Sequence, residues 1–277
     1  VSLLGVSRML QDERYRAWVV RQVSDPVVRA FWTSEVAGYG DRFLAEVISP
    51  VQNKVGQLLM SAPLRNVLGQ VGNRFDVSFC MDHRRIFIAN LSKGQLGEEK
   101  SNLLGSILVT QFQLAAMRRS RMAEADRSDF FLFVDEFHNF ATDSFASILS
   151  EARKYRLGLT LSHQYTEQLS QPVRAAVFGN VGSLIAFRVG DTDARLLEGE
   201  FGGYSADTLA GLGNHEICVR LLCDGSQAEP FLARTQPPAQ CREGRRERII
   251  RRSRERYAMP RQVVEEKIDR WMTGGLA

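Results

Sequence analysis

The chain has 277 residues, 44% of them hydrophobic, which suffices for one substantial core or for a core and a smaller lobe. Charged residues make up 25%, as in ordinary soluble globular proteins, and a mild net charge of +4 excludes a uniformly basic protein. No apolar run is long enough to span a bilayer and no signal peptide is evident. The cysteine pattern described below predicts reduced thiols and a cytoplasmic protein.

The N-terminal region, residues 1–76, is predicted to be an all-α domain. Ser24-Asp25-Pro26 is typical of a helix start, because Ser or Asp caps the first turn and Pro suits its beginning. Apolar residues recur at three- and four-residue steps over 27–47, and Pro50 then separates this stretch from a second helix over 51–60. No strand is predicted before about Val77.

Short apolar strands alternate with helices between residues 77 and 236. This alternation predicts an α/β fold with a mostly parallel sheet and helices on both faces. The predicted strands are Arg85–Leu91, Phe130–Val134, Leu157–Leu161 and Ser183–Val189, with Glu216–Leu222 and Pro230–Arg234 as edge strands; the predicted helices are Asn102–Met117, Ser144–Tyr155 and Thr166–Phe178.

The C-terminal region, residues 237–277, is predicted to be an Arg-rich tail that ends in a short amphipathic helix over 263–271. Its arginines interleave with glutamates, which suits a self-paired solvated helix, a contact with DNA phosphates or an acidic membrane surface. The candidate nucleic-acid contacts are Arg245, Arg246, Arg251 and Arg252.

The four cysteines argue against a zinc site. They show no CxxC spacing and have no nearby histidine in a ligand pattern. We therefore expect reduced, structural thiols at Cys80, Cys218, Cys223 and Cys241.

The segment FFLFVDE ends an apolar strand in two adjacent acids, Asp135 and Glu136. Ligands of doubly wound sheets bind beyond the carboxyl ends of strands, where two carboxylates repel unless a cation, water or donor stabilises them. In nucleotide hydrolases the first acid holds the Mg²⁺ shell, here Asp135 through water, and the second orients and polarises the attacking water. This is the Walker B pattern; the alternative is a strand that ends in solvent at a polar loop.

The next helix and strand add two residues to this pattern. Gln164 follows strand 157–161, where a γ-phosphate sensor is expected, because its amide can bind both the phosphate and the nucleophilic water. Arg153 precedes that strand and is a candidate arginine finger in its own subunit or the next. The alternatives are a strand-end cap for Gln164 and a solvated helix face, paired with Glu151, for Arg153.

The phosphate-binding loop GxxxxGK[ST] is absent from the sequence. The nearest match, 94–101, lacks the Gly before its Lys and would set Glu98 and Glu99 against a polyphosphate, whereas both suit a helix N-terminus. Lys93 could approach a nucleotide, although a solvated loop lysine is the simpler interpretation. We expect either that the phosphate cradle lies in sequence before Val1 or that this protein does not hydrolyse nucleotide.

Four segments of the chain together resemble the conjugative DNA-transfer ATPases, the type IV secretion coupling proteins of the TraD/TraG-like type. The resemblance covers roughly residues 49 to 235 and is most specific over 130–168, where the spacing of the acids, the Arg and the Gln agrees. The segments are NLSKGQLGE, LLGSILVTQFQLAAMRR, FFLFVDEFHNFATDSFASILSEARKYRLGLTLSHQYTEQL and VFGNVGSLIAFRVGDTDA.

The resemblance implies a RecA-like P-loop NTPase core in a hexameric ring that pumps DNA with ATP and Mg²⁺. Asp135 and Glu136 would be the Walker B pair, Gln164 the sensor and Arg153 a finger in trans. Residues 1–76 would be an all-α domain inserted into the nucleotide-binding domain, and 77–236 the C-terminal part of that domain. His138 stands where relatives carry another polar residue, and we expect it to be a packing or loop histidine.

The resemblance also implies partners: DNA, further copies of the chain, and relaxosome and secretion-channel proteins. Membrane association would come from segments outside this chain, at the cytoplasmic face of a bacterial inner membrane. The alternatives are a related chromosome-type or repair DNA translocase and a non-hydrolysing adaptor that binds DNA or a partner, since the Walker A loop is absent.

Overall fold

The computed structural model describes residues 2–142, 145–238 and 244–273. Residue contacts divide the chain into two units. The helical unit joins the two ends of the chain, Val1–Phe75 and Glu243–Ala277, and the α/β unit is Asp76–Arg242. The region predicted as a separate tail, 237–277, therefore contributes its helices to the same unit as the N-terminal helices.

Helices and strands are numbered in chain order. The helical unit contains α1 (Leu3–Gln11), α2 (Glu13–Arg21), α3 (Pro26–Ala30), α4 (Asp41–Met60), α5 (Ala62–Leu68), α13 (Arg246–Tyr257) and α14 (Arg261–Thr273). The α/β unit contains helices α6 (Val77–Asp82), α7 (Lys93–Leu96), α8 (Glu98–Arg118), α9 (Phe145–Glu151), α10 (Gln171–Asn180), α11 (Asp191–Phe201) and α12 (Ala206–Ala210). Its strands are β1 (Phe130–Val134), β2 (Leu157–Leu161), β3 (Leu184–Ala186), β4 (Glu216–Arg220), β5 (Leu222–Cys223), β6 (Ser226–Gln227) and β7 (Phe231–Arg234). Short 3₁₀ turns cover Val36–Gly38, Arg119–Arg121, Glu124–Asp126, Phe137–Asn139, Ala152–Tyr155 and Thr166–Gln168, and Phe31–Glu35 is a π-helical turn.

The helical unit confirms the predicted start of α3 and corrects the predicted break at Pro50. Asp25 caps α3 by accepting hydrogen bonds from the backbone N–H groups of Val27 and Val28, at 2.8 and 3.2 Å. Helix α4 continues through Pro50, although proline removes one intrahelical hydrogen bond. Ile48 and Val55, on either side of Pro50, are both buried, and this packing holds the helix together across the proline.

Helix α14 ties the two ends of the chain into one core. Val264 and Ile268 are buried beside Leu4 of α1, and Trp271 packs against the same cluster. The apolar spacing that predicts an amphipathic helix over 263–271 is thus confirmed, and its apolar face covers α1.

The described part of the α/β unit has one parallel pair of strands and two antiparallel sheets. Strands β1 and β2 pair in parallel, β3, β4 and β7 form an antiparallel sheet in the order β3-β4-β7, and β5 and β6 form a hairpin. The α/β class is confirmed, whereas parallel pairing among the described residues is confined to β1 and β2. Both predicted edge strands are present, as β4 and β7, but only β7 lies at an edge, because β4 pairs with β3 on one side and β7 on the other.

Helices pack on one face of β1, and the described residues leave its other face open. Val134 is buried in a core that includes Phe112 of α8 and Val173 of α10. Phe131 and Phe133, which alternate with the core-facing residues, are 65% and 73% exposed. The expectation of helices on both faces is therefore wrong for this strand.

The predicted first strand, Arg85–Leu91, is irregular. Its central ring, Phe87, packs near Phe112 with 5.7 Å between the ring centroids. Ile86 and Ile88 are 91% and 78% exposed. Without a paired neighbour, alternating apolar residues do not make a strand, because the ladder hydrogen bonds come from the partner.

The remaining helix predictions hold with shifted bounds. The helix predicted over 102–117 is α8, which starts earlier, at Glu98. The one predicted over 144–155 is α9 followed by a 3₁₀ turn, and Ser144 lies outside the described residues. The one predicted over 166–178 is a 3₁₀ turn followed by α10, with proline in its first turn.

Among the described residues, no helix combines the length and the apolar composition needed to cross a membrane. Cys80 and Cys218 are buried, and burial raises the pKa of both thiols, which suits a structural role. Cys223 is exposed and also free, and Cys241 lies outside the described residues.

Candidate functional site

The site begins where the two parallel strands end side by side. Val134 is opposite Leu161 in the β1–β2 register, so both strands reach the same edge of the sheet. The hydrogen bonding continues past the strands: the Ser162 N–H donates to the Val134 carbonyl at 3.0 Å, and the Phe137 N–H donates to the Ser162 carbonyl at 2.8 Å. The segments 135–139 and 162–164 are therefore held against each other.

The two acids that follow β1 each accept a hydrogen bond from the segment that follows β2. The Ser162 hydroxyl donates to Asp135 Oδ1 at 2.6 Å, and the Glu136 N–H donates to the same oxygen at 3.0 Å. Gln164 Nε2 donates to Glu136 Oε1 at 2.7 Å. Each carboxylate thus has its own donor, which offsets the repulsion between neighbouring like charges.

A left-handed residue turns the chain sharply after β1. Glu136 has φ 50° and ψ 46°, a conformation that costs a non-glycine residue roughly 1–2 kcal/mol. Its carbonyl accepts hydrogen bonds from the N–H and the side-chain amide of Asn139, at 3.0 and 3.1 Å. The next residue, Phe137, is fully buried, with its ring 4.7 Å from that of Phe145. Packing and hydrogen bonds therefore sustain the strain at Glu136. We call residues 135–139 the acid turn.

His138 lies within the acid turn and His163 precedes Gln164 after β2, and neither is a predicted site residue. His138 Nδ1 lies 3.5 Å from Glu136 Oε2, without the geometry of a hydrogen bond, so the contact is an ion pair only when the imidazole is protonated. Burial lowers the pKa of His163, with the Asp193 carboxylate acting in the opposite direction. His163 is adjacent to Gln164 in the sequence, and its lowered pKa favours the neutral form of the imidazole beside the acids.

Asp193 connects α11 to the segment after β2. It is buried and accepts hydrogen bonds from the Thr166 N–H, at 3.3 Å, and from the Thr166 hydroxyl. A buried carboxylate with such donors is a rigid anchor. This contact holds the chain just beyond Gln164, and its residues are 27 positions apart, so periodicity alone does not reveal it.

Lys93 reaches the acid turn from the first residue of α7. Its Nζ donates to Asn139 Oδ1 at 2.8 Å and to Glu98 Oε1 at 2.7 Å, and this ion pair holds the pKa of Glu98 below its usual range. The interpretation as a solvated loop lysine is therefore incomplete, since Lys93 is 44% exposed and bridges two segments. Glu98 and Glu99 occupy the first turn of α8, as the sequence predicts.

Arg153 lies at the opposite end of β2 from the acids. It is in the 3₁₀ turn before the strand, and five residues of strand, about 16 Å, separate that turn from the segment with Gln164. Its side chain is exposed and forms no ion pair with any described residue, Glu151 included. The structure brings Asp135, Glu136 and Gln164 together and does not bring Arg153 to them within one chain.

The donor set suits a hydrated magnesium ion and does not form an all-protein metal cage. Across the described residues, no group of three or more His, Cys, Asp or Glu side chains is arranged to hold a metal ion. Asp135 Oδ1 is occupied by two donors, whereas Oδ2 accepts no hydrogen bond from a described residue. One open carboxylate oxygen fits Mg²⁺, because this ion keeps several waters and substrate phosphates complete its coordination shell.

The candidate nucleic-acid residues Arg245, Arg246, Arg251 and Arg252 belong to the helical unit, in and beside α13.

No protein-family model and no curated protein matches the chain. The interpretation of the site therefore rests on its residues and their geometry.

Proposed function

We propose that this chain is part of an ATP-hydrolysing DNA translocase subunit, a coupling protein of a conjugation or type IV secretion system, with a RecA-like nucleotide-binding core. The hydrogen bond from Gln164 to Glu136, across the ends of two adjacent parallel strands, is the observation that carries this proposal. A sensor amide and a catalytic carboxylate must reach the same terminal phosphate and the same water, so they must be neighbours.

The two carboxylates have distinct chemical tasks in this proposal. Bound Mg²⁺ supplies charge neutralisation at the phosphates, and Asp135, through its open oxygen, would hold a water of the metal shell. Glu136 would orient the attacking water and accept its hydrogen bond, since Gln164 and the strained turn already fix the carboxylate. Ser162 would position Asp135, because its hydroxyl donates to Oδ1.

Two further parts of the reaction would come from outside this chain. The phosphates need a Gly-rich loop, and the sequence contains no GxxxxGK[ST]. The arginine finger would act in trans: Arg153 is exposed and unpaired among the described residues, and it is remote from the acids of its own chain. In a hexameric ring such a residue would complete the cleft of the next subunit and couple the sites.

The test is DNA-stimulated ATP hydrolysis by the full-length protein and by its Glu136→Gln variant. We expect hydrolysis to fall by roughly 10²–10⁴-fold while ATP still binds, because only the water-orienting carboxylate is lost. Glu167→Gln is the matched control, since Glu167 is exposed and forms no ion pair with a described residue. Equal activity of Glu136→Gln and wild type would refute the proposal.

A mixing experiment tests the role of Arg153. Arg153→Ala subunits and Glu136→Gln subunits are each expected to be inactive alone. Mixed rings contain some interfaces with an intact finger and an intact acid pair, so they should recover part of the hydrolysis. Absence of recovery at every mixing ratio would count against a trans role.

The missing phosphate loop favours one second candidate, a non-hydrolysing adaptor that binds DNA or a partner. In that case the acid turn would be structural, and Glu136→Gln would leave every activity of the protein unchanged. The two candidates therefore predict opposite results in the same assay.

A further inference from the structure

Helix α13 is a strongly basic helix with no buried residue. It carries six arginines and two glutamates, and Arg245 immediately precedes it. It is anchored within the helical unit at its C-terminal end, where the ring of Tyr257 lies 5.8 Å from that of Phe75 and the Ala258 carbonyl accepts a hydrogen bond from Arg74 at 3.2 Å. The arginine-bearing turns are left to solvent.

Most of these arginines have no partner in the part of the chain that the structure describes. Arg246 pairs with Glu247 at 2.8 Å, and Arg256 lies over the ring of Tyr257 at 5.5 Å. The other glutamate of the helix, Glu255, takes part in no ion pair with a described residue. No hydrogen bond, ion pair or ring contact with a described residue involves the side chain of Arg248, Arg251, Arg252 or Arg254.

A self-paired helix, one of the interpretations open from sequence, would need such contacts. Two i,i+4 pairs of the helix join like charges, Arg248 with Arg252 and Arg252 with Arg256. Arg251 has Glu247 and Glu255 at the same spacing, but it forms no ion pair with either. The like-charge pairs destabilise a helix, and binding of an anion relieves the repulsion. The unpaired guanidinium groups are therefore available to an external polyanion.

The arginines surround most of the helix. At 100° per residue, every arginine from 245 to 256 except Arg246 falls within an arc of about 200°, and Arg246 falls within the opposite, apolar stripe of Ile249, Ile250 and Tyr257. A membrane surface is planar and takes up a broad apolar face, whereas here Ile249 is the only aliphatic side chain of α13 among the large exposed ones described. A groove of nucleic acid has phosphates along both sides, so it can meet arginines on both flanks of a helix.

We propose that α13 binds the phosphate backbone of nucleic acid, through Arg248, Arg251, Arg252 and Arg254. The helix contains no Asn or Gln, the side chains that pair bidentately with adenine, and we assign its arginines to phosphates. The choice of nucleic acid as the polyanion rests on the proposed function. The arrangement of unpaired arginines does not depend on it.

The test measures how DNA binding by the full chain depends on salt. A labelled duplex two helical turns long is titrated by fluorescence anisotropy between about 50 and about 200 mM salt. Each phosphate contact contributes about 0.9 to the slope of log K against log salt, so the Arg248→Gln, Arg251→Gln, Arg252→Gln, Arg254→Gln variant should lose about 3–4 units of slope. Glutamine retains helix propensity, and circular dichroism verifies the fold.

A matched control removes the same charge from arginines that are already ion-paired. These are Arg42, Arg156, Arg195 and Arg261, which lie 3.6, 3.4, 2.8 and 2.7 Å from their carboxylate partners. The control variant, with glutamine at all four positions, should keep the wild-type slope. An unchanged slope in the α13 variant, or an equal loss in the control, overturns the proposal.

Two further measurements, vesicle binding and ATP hydrolysis by Glu136→Gln, distinguish a membrane partner from nucleic acid and this surface from the proposed hydrolytic function. Binding to phosphatidylserine-containing vesicles that requires the α13 arginines, together with an unchanged DNA slope, would overturn nucleic acid as the partner. Glu136→Gln should leave the DNA slope unaltered. Loss of slope in the α13 variant alongside full ATP hydrolysis by Glu136→Gln would therefore support this surface while refuting the proposed hydrolytic function.

Discussion

The acid turn and helix α13 are both dense in like charges, and they treat those charges in opposite ways. In the acid turn, Asp135 and Glu136 each accept a hydrogen bond from a side chain that follows the neighbouring strand. In α13, four arginines are unpaired among the described residues. Charges with internal donors are held at fixed positions, which suits chemistry, whereas unpaired charges on a solvated helix suit a long, repetitive anion.

The largest expected effect tests how firmly the acid turn is anchored. Phe137→Ala should lower the free energy of unfolding by about 3–5 kcal/mol, because the ring is fully buried against Phe145. Ile249→Ala on α13 is the comparison, and it should change stability by about 0.5 kcal/mol or less, since Ile249 is 54% exposed. Urea unfolding followed by circular dichroism measures both. Similar values for the two variants would contradict the inference that the acid turn is more firmly anchored by packing than α13.

The second prediction concerns the strain at Glu136. Glu136→Gly and Glu136→Ala both remove the carboxylate, but only glycine adopts φ 50° without penalty. The glycine variant should therefore be more stable than the alanine variant by about 1 kcal/mol, measured in the same urea experiment. Equal stability of the two would mean that the turn relaxes out of the left-handed region.

The third prediction uses the pKa of His163, which burial lowers. The folded protein then binds fewer protons than the unfolded chain as pH falls toward and below the ordinary histidine pKa, so acidification destabilises the fold. The stabilising contribution is complete above that pKa and is lost below it. Thermal unfolding between pH 7.5 and 5.5 should show a larger loss for wild type than for His163→Gln, and parallel losses would contradict the assignment.

The smallest effect tests the repulsion within α13. Arg252→Gln removes a charge that has an arginine four residues away on each side, so it should stabilise the helix by a few tenths of a kcal/mol at low salt. The gain should vanish at high salt, because screening weakens the repulsion. Arg261→Gln breaks a pair with Glu265 at 2.7 Å and should have the opposite sign. A stabilisation that persists in high salt would point away from electrostatics.

The sequence pattern predicted the local elements of the site accurately. Strands β1 and β2 have the predicted bounds, and the adjacent acids and Gln164 follow them at one edge of a parallel pair. Apolar runs and helix caps are local signals, so they predict these elements without knowledge of the tertiary structure. The placement of Glu136 beside Gln164 followed because parallel strands end at the same edge.

Other predictions failed where the partner of a segment decided its conformation. The RIFIANL segment has strand composition, but no described strand pairs with it, and Ile86 and Ile88 remain exposed. Pro50 breaks helices in general, yet α4 continues through it because buried residues lie on both sides. In the RIFIANL segment the lack of a paired strand overrode strand propensity, and in α4 packing overrode the helix-breaking effect of proline.

What the sequence determined by itself is the bounds of β1 and β2 and the chemical identity of the acids, the amide and the arginine-rich helix. Only the tertiary structure decided that Ser162 and Lys93 reach the acid turn, that Arg153 lies at the far end of its strand, and that α14 packs on α1. The physical reason is that composition and periodicity act over a few residues, whereas these contacts join positions far apart in the chain whose distances are set by packing.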